Sequence, residues 1–195
     1  MDKVEKNLQD IRNCTREFIW IRIPKTGSQS IKSLIHDEIQ HPHFSSQALV
    51  QVIGRQRYDE LFKFTIVRNP WDRLVTCYHY YQHKESSFEQ WIKNGMPNNI
   101  TGSKFRPSSL IHQLGWFTDE EGNSMVDFIG KLENIDKDWK IICDFLKIDE
   151  PEKIPHKNKT RQARKKHYST YYDEELKNLV GDMCSEEIKL LNYEF

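Results

Sequence analysis

The chain has 195 residues, 37% of them hydrophobic and 12% aromatic, enough to bury one substantial core and short for two. Its 29 basic and 29 acidic side chains cancel, so no overall field marks a binder of nucleic acid or of anionic membrane, and any anion site must be local. Cys14, Cys77, Cys143 and Cys184 show neither a CxxC pair nor the spacing of a structural zinc site; no run reaches the roughly 18 apolar residues of a membrane span, and the polar opening MDKVEKNLQD lacks a signal-peptide core, so the expectation is a cytoplasmic chain with reduced thiols, no membrane span and no metal.

In chain order, residues 1–17 read as a polar segment that frays or forms a short helix, ahead of a domain over residues 18–195. FIWIRI, from Phe18 to Ile23, is an apolar run of aromatic and β-branched residues that reads as a buried strand ending at Pro24. PKTGSQS supplies a turn at Gly27, and SIKSLIHDEI then places Ile31, Leu34, Ile35 and Ile39 on one helical face. HPHFSSQALVQVIG is a loop leading to a short helix capped by Ser45 or Ser46.

FKFTIVR reads as a second strand that stops at Asn69-Pro70, followed by a helix, WDRLVTCYHYYQH, with proline near its first turn. Between Lys84 and Glu121, SFEQWIKNG is the clearest helical piece. MVDFIGKLENI reads as a third strand, DKDWKIICDFLKI as an amphipathic helix, and DEELKNLVGDMCSEEIKLL as one last helix. Strands alternating with helices predict a single α/β domain with a mainly parallel central sheet flanked by helices, whose ligand site lies beyond the carboxyl ends of the strands.

Two strand ends carry the candidate chemistry. In the first loop Lys25 offers a mobile charge, Thr26, Ser28 and Ser30 offer hydroxyls, and Gly27 lets backbone approach an anion at a helix start. A triphosphatase loop, GxxxxGK[ST], is excluded because the lysine precedes the glycine. In the second, Arg68 ends the strand and Thr76 follows eight residues later on the next helix, so a guanidinium and a hydroxyl can converge on a second phosphate. Arg73 or Asp72 reads as pairing within that helix, and Tyr78 equally as packing or binding.

IPKTGSQS followed by FTIVRNPWDRLVTCYHYY resembles the paired cofactor motifs of the sulfotransferases that use 3′-phosphoadenosine 5′-phosphosulfate (PAPS). The likeness is greatest to the carbohydrate branch that holds the chondroitin, dermatan and uronosyl 2-O enzymes, and VDFIGKLENI through NYEF resembles the family's distal half. The resemblance implies a P-loop-NTPase-like sulfotransferase fold, PAPS as donor and PAP as product, and a hydroxyl acceptor of carbohydrate type. It further implies a 5′ site of Lys25, Thr26, Gly27, Ser28, Gln29 and Ser30, and a 3′ site of Arg68 and Thr76. Gln29 departs from the threonine usual in that loop, and Thr76 replaces the usual serine while keeping the hydroxyl.

Sulfuryl transfer needs in-line attack, a cation at the leaving oxygen and a base for the acceptor hydroxyl. Lys25 suits the cation. For the base the chain offers His41 and His43, whose ordinary pKa lies near neutrality; HPHFS resembles a His-x-His that precedes the second motif in the uronosyl 2-O enzymes, with His43 in the later position, and an acid or histidine elsewhere stays open. Residues 153–167 hold seven Lys or Arg and no acid: either a solvated loop, or a flap over the cofactor or landing strip for an anionic acceptor, with Lys157, Asn158, Arg161 and Lys165 as candidates. Glu133-Asn134 reads equally as a cofactor contact or a helix cap. The competing functions are a P-loop-like kinase using ATP and a noncatalytic anion binder.

Overall fold

The computed structural model describes residues 8–9, 11–12, 17–35, 43–81, 86–96, 106–107, 111–151, 154 and 166–195. Within them three strands, β1 (Phe18–Ile21), β2 (Phe62–Val67) and β3 (Phe128–Lys131), form one all-parallel sheet in the order β1-β2-β3. β2 lies in the middle and is buried from Lys63 to Val67, which is why it reads as a continuous run of strand formers.

Period-two alternation sorts the strand residues between two cores. Ile21 and Val67 face one cluster with Ile23, Phe44, Tyr58, Trp116 and Phe117. Trp20, Phe64 and Ile66 face the other, where Ile31, Trp139 and Ile142 cover them. Leu8 and Ile11 of the amino-terminal segment are helical and buried in the first cluster.

Helices α1 (Ser28–Leu34), α2 (Ser46–Ile53) and α3 (Arg55–Glu60) connect β1 to β2. Ser45 caps α2, its side chain accepting from the Ala48 N–H at 3.3 Å. The third of these helices is not foreseen by periodicity. Gly54, with φ 85°, closes one helix and opens the next, and an Arg55–Asp59 pair spans the short turn that follows.

Helices α4 (Pro70–Tyr81) and α5 (Phe88–Lys93) follow β2. The latter opens with a reciprocal capping box between Ser87 and Gln90. After β3 come a 3-10 turn, Leu132–Asn134, and α6 (Ile135–Leu146). The third strand is shorter than MVDFIGKLENI suggests. Its amino end is diverted when Met125 N–H donates to the Phe117 carbonyl (2.7 Å), and its carboxyl end when Lys131 N–H donates to Asp138 (2.6 Å).

The single last helix of the sequence reading is two: α7 (Glu174–Met183) and α8 (Ser185–Leu191), divided at Cys184 with φ −107° and ψ 19°. The break lets Leu176 and Val180 join the cluster around Trp71, Trp91 and Phe88, while Leu191 joins the core on Ile21. Cys77, Cys143 and Cys184 are buried free thiols; Cys14 lies outside the described residues. Among the described residues no helix is long and apolar enough to cross a membrane, and no group of His, Cys, Asp or Glu could hold a metal ion.

Candidate functional site

The carboxyl ends of the three parallel strands converge, as strand order and register require. Ile21 is level with Thr65 and Val67 with Lys131, and the Thr65 hydroxyl donates to the Ile21 carbonyl at 2.8 Å. The chain leaving β1 therefore stands beside the chain leaving β2, and the two candidate loops share one rim.

In the first loop Lys25 and Gly27 adopt φ of 70° and 80°. Gly27 is favoured by its left-handed backbone, and a Cβ there would stand 2.7 Å from Leu132 Cδ1, beyond the end of β3, so that the leucine tip would have to shift. The turn feeds α1, whose start has no side-chain cap, so its first-turn N–H groups face the loop. Ser28, Gln29 and Ser30 occupy that first turn.

Thr26 corrects part of the sequence expectation. It is buried, and its hydroxyl donates to the Ile23 carbonyl at 3.0 Å. The side chain thus shapes the turn, and only its backbone remains to meet an anion.

Arg68 meets this loop directly. Its Nη1 donates to the Lys25 carbonyl at 3.1 Å, and its Nε and Nη2 donate to Asp72 Oδ2 at 3.1 and 2.9 Å. Asp72 therefore pairs with Arg68, four residues before it. Thr76 sits one turn on, its hydroxyl donating to the Asp72 carbonyl at 3.2 Å, so it must rotate before it can donate to a phosphate. The Lys25 ammonium lies 3.0 Å from the centroid of the Tyr80 ring. Burial pushes the Lys25 pKa down to about 8, the Arg68 charge adds to that, and Cys77 opposes it.

His43 completes the rim. Its Nδ1 is 2.7 Å from the carbonyl oxygen of Arg22, just past β1. A carbonyl can only accept, so Nδ1 carries the proton and Nε2 keeps its lone pair. Burial lowers the His43 pKa to about 4; the Arg22 carbonyl opposes this, and the charges of Arg22, Arg106 and Lys25 add to it. The ring is neutral at pH 7, and the same burial makes its Nε2 a weaker base than an ordinary imidazole. Arg106 Nε donates to the His43 carbonyl at 3.3 Å, and the Trp116 ring meets the imidazole edge-on at 6.2 Å. His41, Lys157, Asn158, Arg161 and Lys165 lie outside the described residues.

The residues that hold the two loops in place escape sequence reasoning. Arg73 is 1% exposed; it donates through Nε to the Pro24 carbonyl (3.0 Å) and through Nη1 to the Ile111 carbonyl (2.6 Å). Gln113, fully buried, grips the Arg68 backbone at both ends. Its Oε1 accepts from the Arg68 N–H at 2.9 Å, and its Nε2 donates to the Arg68 carbonyl at 2.7 Å.

Glu187 orients that amide by accepting from Gln113 Nε2 and, at 2.6 Å, from its backbone N–H. Burial raises the Glu187 pKa, while Arg73 and the Gln113 donors oppose the rise. Glu187 did carry a signal: it stands on the apolar stripe Val180, Cys184, Leu191, where a carboxylate needs buried partners. Gln113 and Arg73 carried none, because their partners are backbone atoms from remote segments.

Glu133 is engaged by its own chain. Its Oε1 accepts from the Asn69 N–H at 2.7 Å and its Oε2 from the Tyr193 hydroxyl at 3.1 Å. It clasps the turn after Arg68 to the end of the chain, where Asn69 Nδ2 also donates to the Glu194 carbonyl at 2.7 Å. Asn134 occupies the N-cap position of α6 without a side-chain cap bond.

Comparison with known proteins bears on the family and the fold. An uncharacterized protein of Archaeoglobus fulgidus is 30% identical over 107 residues, covering 52% of this chain and 79% of that protein. The crystal structure of mouse sulfotransferase SULT7A1 complexed with PAP superposes with a TM-score of 0.58 over 94% of this chain and 90% of that one, at 17% identity, and so shares its fold. A family model described as "Sulfotransferase family" matches residues 11–194. The chain belongs to the sulfotransferase family.

Proposed function

We propose that the protein transfers a sulfuryl group from PAPS to a hydroxyl of a carbohydrate acceptor and releases PAP. The observation that carries this reading is the 3.1 Å bond from Arg68 Nη1 to the Lys25 carbonyl, since it joins the two candidate anion loops side by side, as a cofactor with phosphates at both ends requires. The donor set fits such a group: two cations, a loop turned by the left-handed Gly27, and an uncapped helix start. That the mouse structure is a PAP complex supports the same cofactor.

When bound, PAPS supplies an activated sulfuryl group and a phosphate leaving group. Lys25, Thr26, Gly27, Ser28, Gln29 and Ser30 hold its 5′ end, Thr26 through its backbone. Arg68 and Thr76 hold the 3′-phosphate, Asp72 orienting the guanidinium until the anion arrives. Lys25 neutralises charge at the leaving oxygen, and His43 Nε2 takes the acceptor proton while Nδ1–H stays on the Arg22 carbonyl.

The finer parts of this reading have separate support. HPHFS and the paired motifs favour a carbohydrate acceptor, His41 is the second candidate base, and the basic stretch with Lys157, Asn158 and Arg161 a second cofactor contact. The strand-loop-helix of β1, Pro24–Gly27 and α1 is what favours a P-loop-NTPase-like character. A thermal-shift comparison of PAP with ATP plus magnesium tests the cofactor: stabilisation by PAP alone is expected, and stabilisation by ATP alone would defeat the reading. Radiolabelled-sulfate transfer across polysaccharide, glycolipid, small hydroxyl and tyrosine-peptide acceptors tests the acceptor; label in the peptide alone would overturn the carbohydrate assignment.

A further inference from the structure

We propose that Tyr80 is a positioning residue for Lys25, the face of its ring holding the lysine ammonium charged and aimed along the rim of the cleft. The inference rests on reading Lys25 as the cation that meets the 5′ end of the cofactor. It deepens that reading by assigning a role to a residue outside both loops.

One stripe of α4 grips Lys25 at both ends. Arg68, just ahead of the helix, binds the Lys25 carbonyl, and Asp72, one turn on, fixes Arg68. Thr76 donates to the Asp72 carbonyl. Tyr80, one more turn along, presents its ring centre 3.0 Å from the ammonium. Residues four apart on a helix lie on one face, so this sequence of contacts follows from α-helical spacing.

Tyr80 is 60% exposed, so core packing does not account for its placement, whereas the negative face of a ring is what a partly desolvated ammonium seeks. The lysine needs that support. It sits at a left-handed backbone position with φ 70°, and among the described residues three titratable or charged groups besides Tyr80 face it. These are Arg68 ahead of α4, Cys77 on that helix, and His43 ahead of α2. Burial and the Arg68 charge both favour the neutral amine, which could neither attract an anion nor stabilise a leaving oxygen. A ring face favours the charged form without the competing negative charge that a carboxylate would bring.

Two measurements on the full chain test this. In the free protein, the Lys25 Cε signals, assigned by their loss in Lys25→Met, are expected to show an upfield ring-current shift in the unaltered chain and in Tyr80→Phe. In Tyr80→Leu the shift is expected to vanish. By calorimetry between pH 7 and 10, PAP affinity is expected to fall as Lys25 loses its proton. Tyr80→Leu is expected to start that fall about 1 pH unit lower and to weaken binding at pH 8 by about five- to tenfold, with Tyr80→Phe within about twofold of the unaltered chain.

A purely structural role would move the unfolding midpoint and leave the alkaline limb in place. Superimposable affinity curves for Tyr80→Leu and the unaltered chain, or a Lys25 signal indifferent to Tyr80, overturn the proposal. A Lys25→Met curve identical to that of the unaltered chain defeats the reading of Lys25 itself, and this inference with it.

Discussion

Replacing Gln113 by leucine tests whether the second anion loop is held by side-chain chemistry or merely by packing. The side chain makes three hydrogen bonds in a fully buried site: one from the Arg68 N–H, one to the Arg68 carbonyl and one to Glu187. Leucine fills a similar volume and makes none of them. Each buried group left without a partner costs about 1–3 kcal/mol, so three of them cost roughly 3–9 kcal/mol against a gain of about 1–2 kcal/mol from the added apolar surface.

The expected net loss is about 3 kcal/mol, a large part of the roughly 5–15 kcal/mol that holds an ordinary domain together. Glu187 retains the Gln113 backbone N–H at 2.6 Å, which keeps the loss at the lower end of that range. Urea unfolding should show a midpoint lowered by at least about 1 M, and calorimetry on the folded variant should show weaker PAP binding because Arg68 is no longer fixed. A midpoint within about 0.3 M of the unaltered chain, together with unchanged PAP affinity, would refute the reasoning and leave the Gln113–Glu187 pair as incidental.

Arg68→Ala should weaken PAP binding by about 2 kcal/mol or more, roughly thirtyfold in Kd, because a charge-assisted contact is lost; unchanged calorimetric affinity would contradict it. Gly27→Ala should destabilise the fold by about 1–2 kcal/mol from its positive φ alone, with the contact on Leu132 adding to this, and thermal unfolding with and without PAP measures both effects. His43→Asn should abolish turnover while leaving PAP affinity within about twofold, since Nε2 meets the acceptor and not the cofactor.

The same residue predicts a pH dependence. The His43 pKa is about 4 when folded and near 6.5 when unfolded, so the unfolded chain binds the extra proton. Stability from His43 is complete above about pH 6.5 and is lost as pH falls toward 4. Urea midpoints at pH 7 and 5 should therefore differ more for the unaltered chain than for His43→Asn.

Much of the fold and half of the site were legible because they depend on local order. FIWIRI, FKFTIV and the centre of MVDFIGKLENI became the three parallel strands, and Pro70, Ser45 and the Ser87–Gln90 box opened helices where capping chemistry says they should. The two candidate loops were legible for the same reason: a turn glycine after a strand, a lysine beside it, and an arginine followed by a hydroxyl at helical spacing are all short-range patterns. The break at Cys184 was not legible, because helical periodicity runs through it and only the clusters on either side decide which face each half must bury; the helix after Gly54 was missed because RQRYDE buries only Tyr58 and so shows no apolar period.

What the tertiary structure alone decided is the fine placement of charge. No spacing in the chain says that Arg73 binds the Pro24 carbonyl, that Gln113 pairs with both polar groups of the Arg68 backbone, or that the Thr26 hydroxyl turns inward to Ile23. Nor does any pattern place the Lys25 ammonium on Tyr80 or fix the His43 tautomer through the Arg22 carbonyl. Backbone carbonyls and N–H groups are the same in every residue, so a side chain that binds one leaves no trace in its partner's identity. The amino-acid order chose the groups that could hold an anion; the crossing of three parallel strand ends chose which of them stand together.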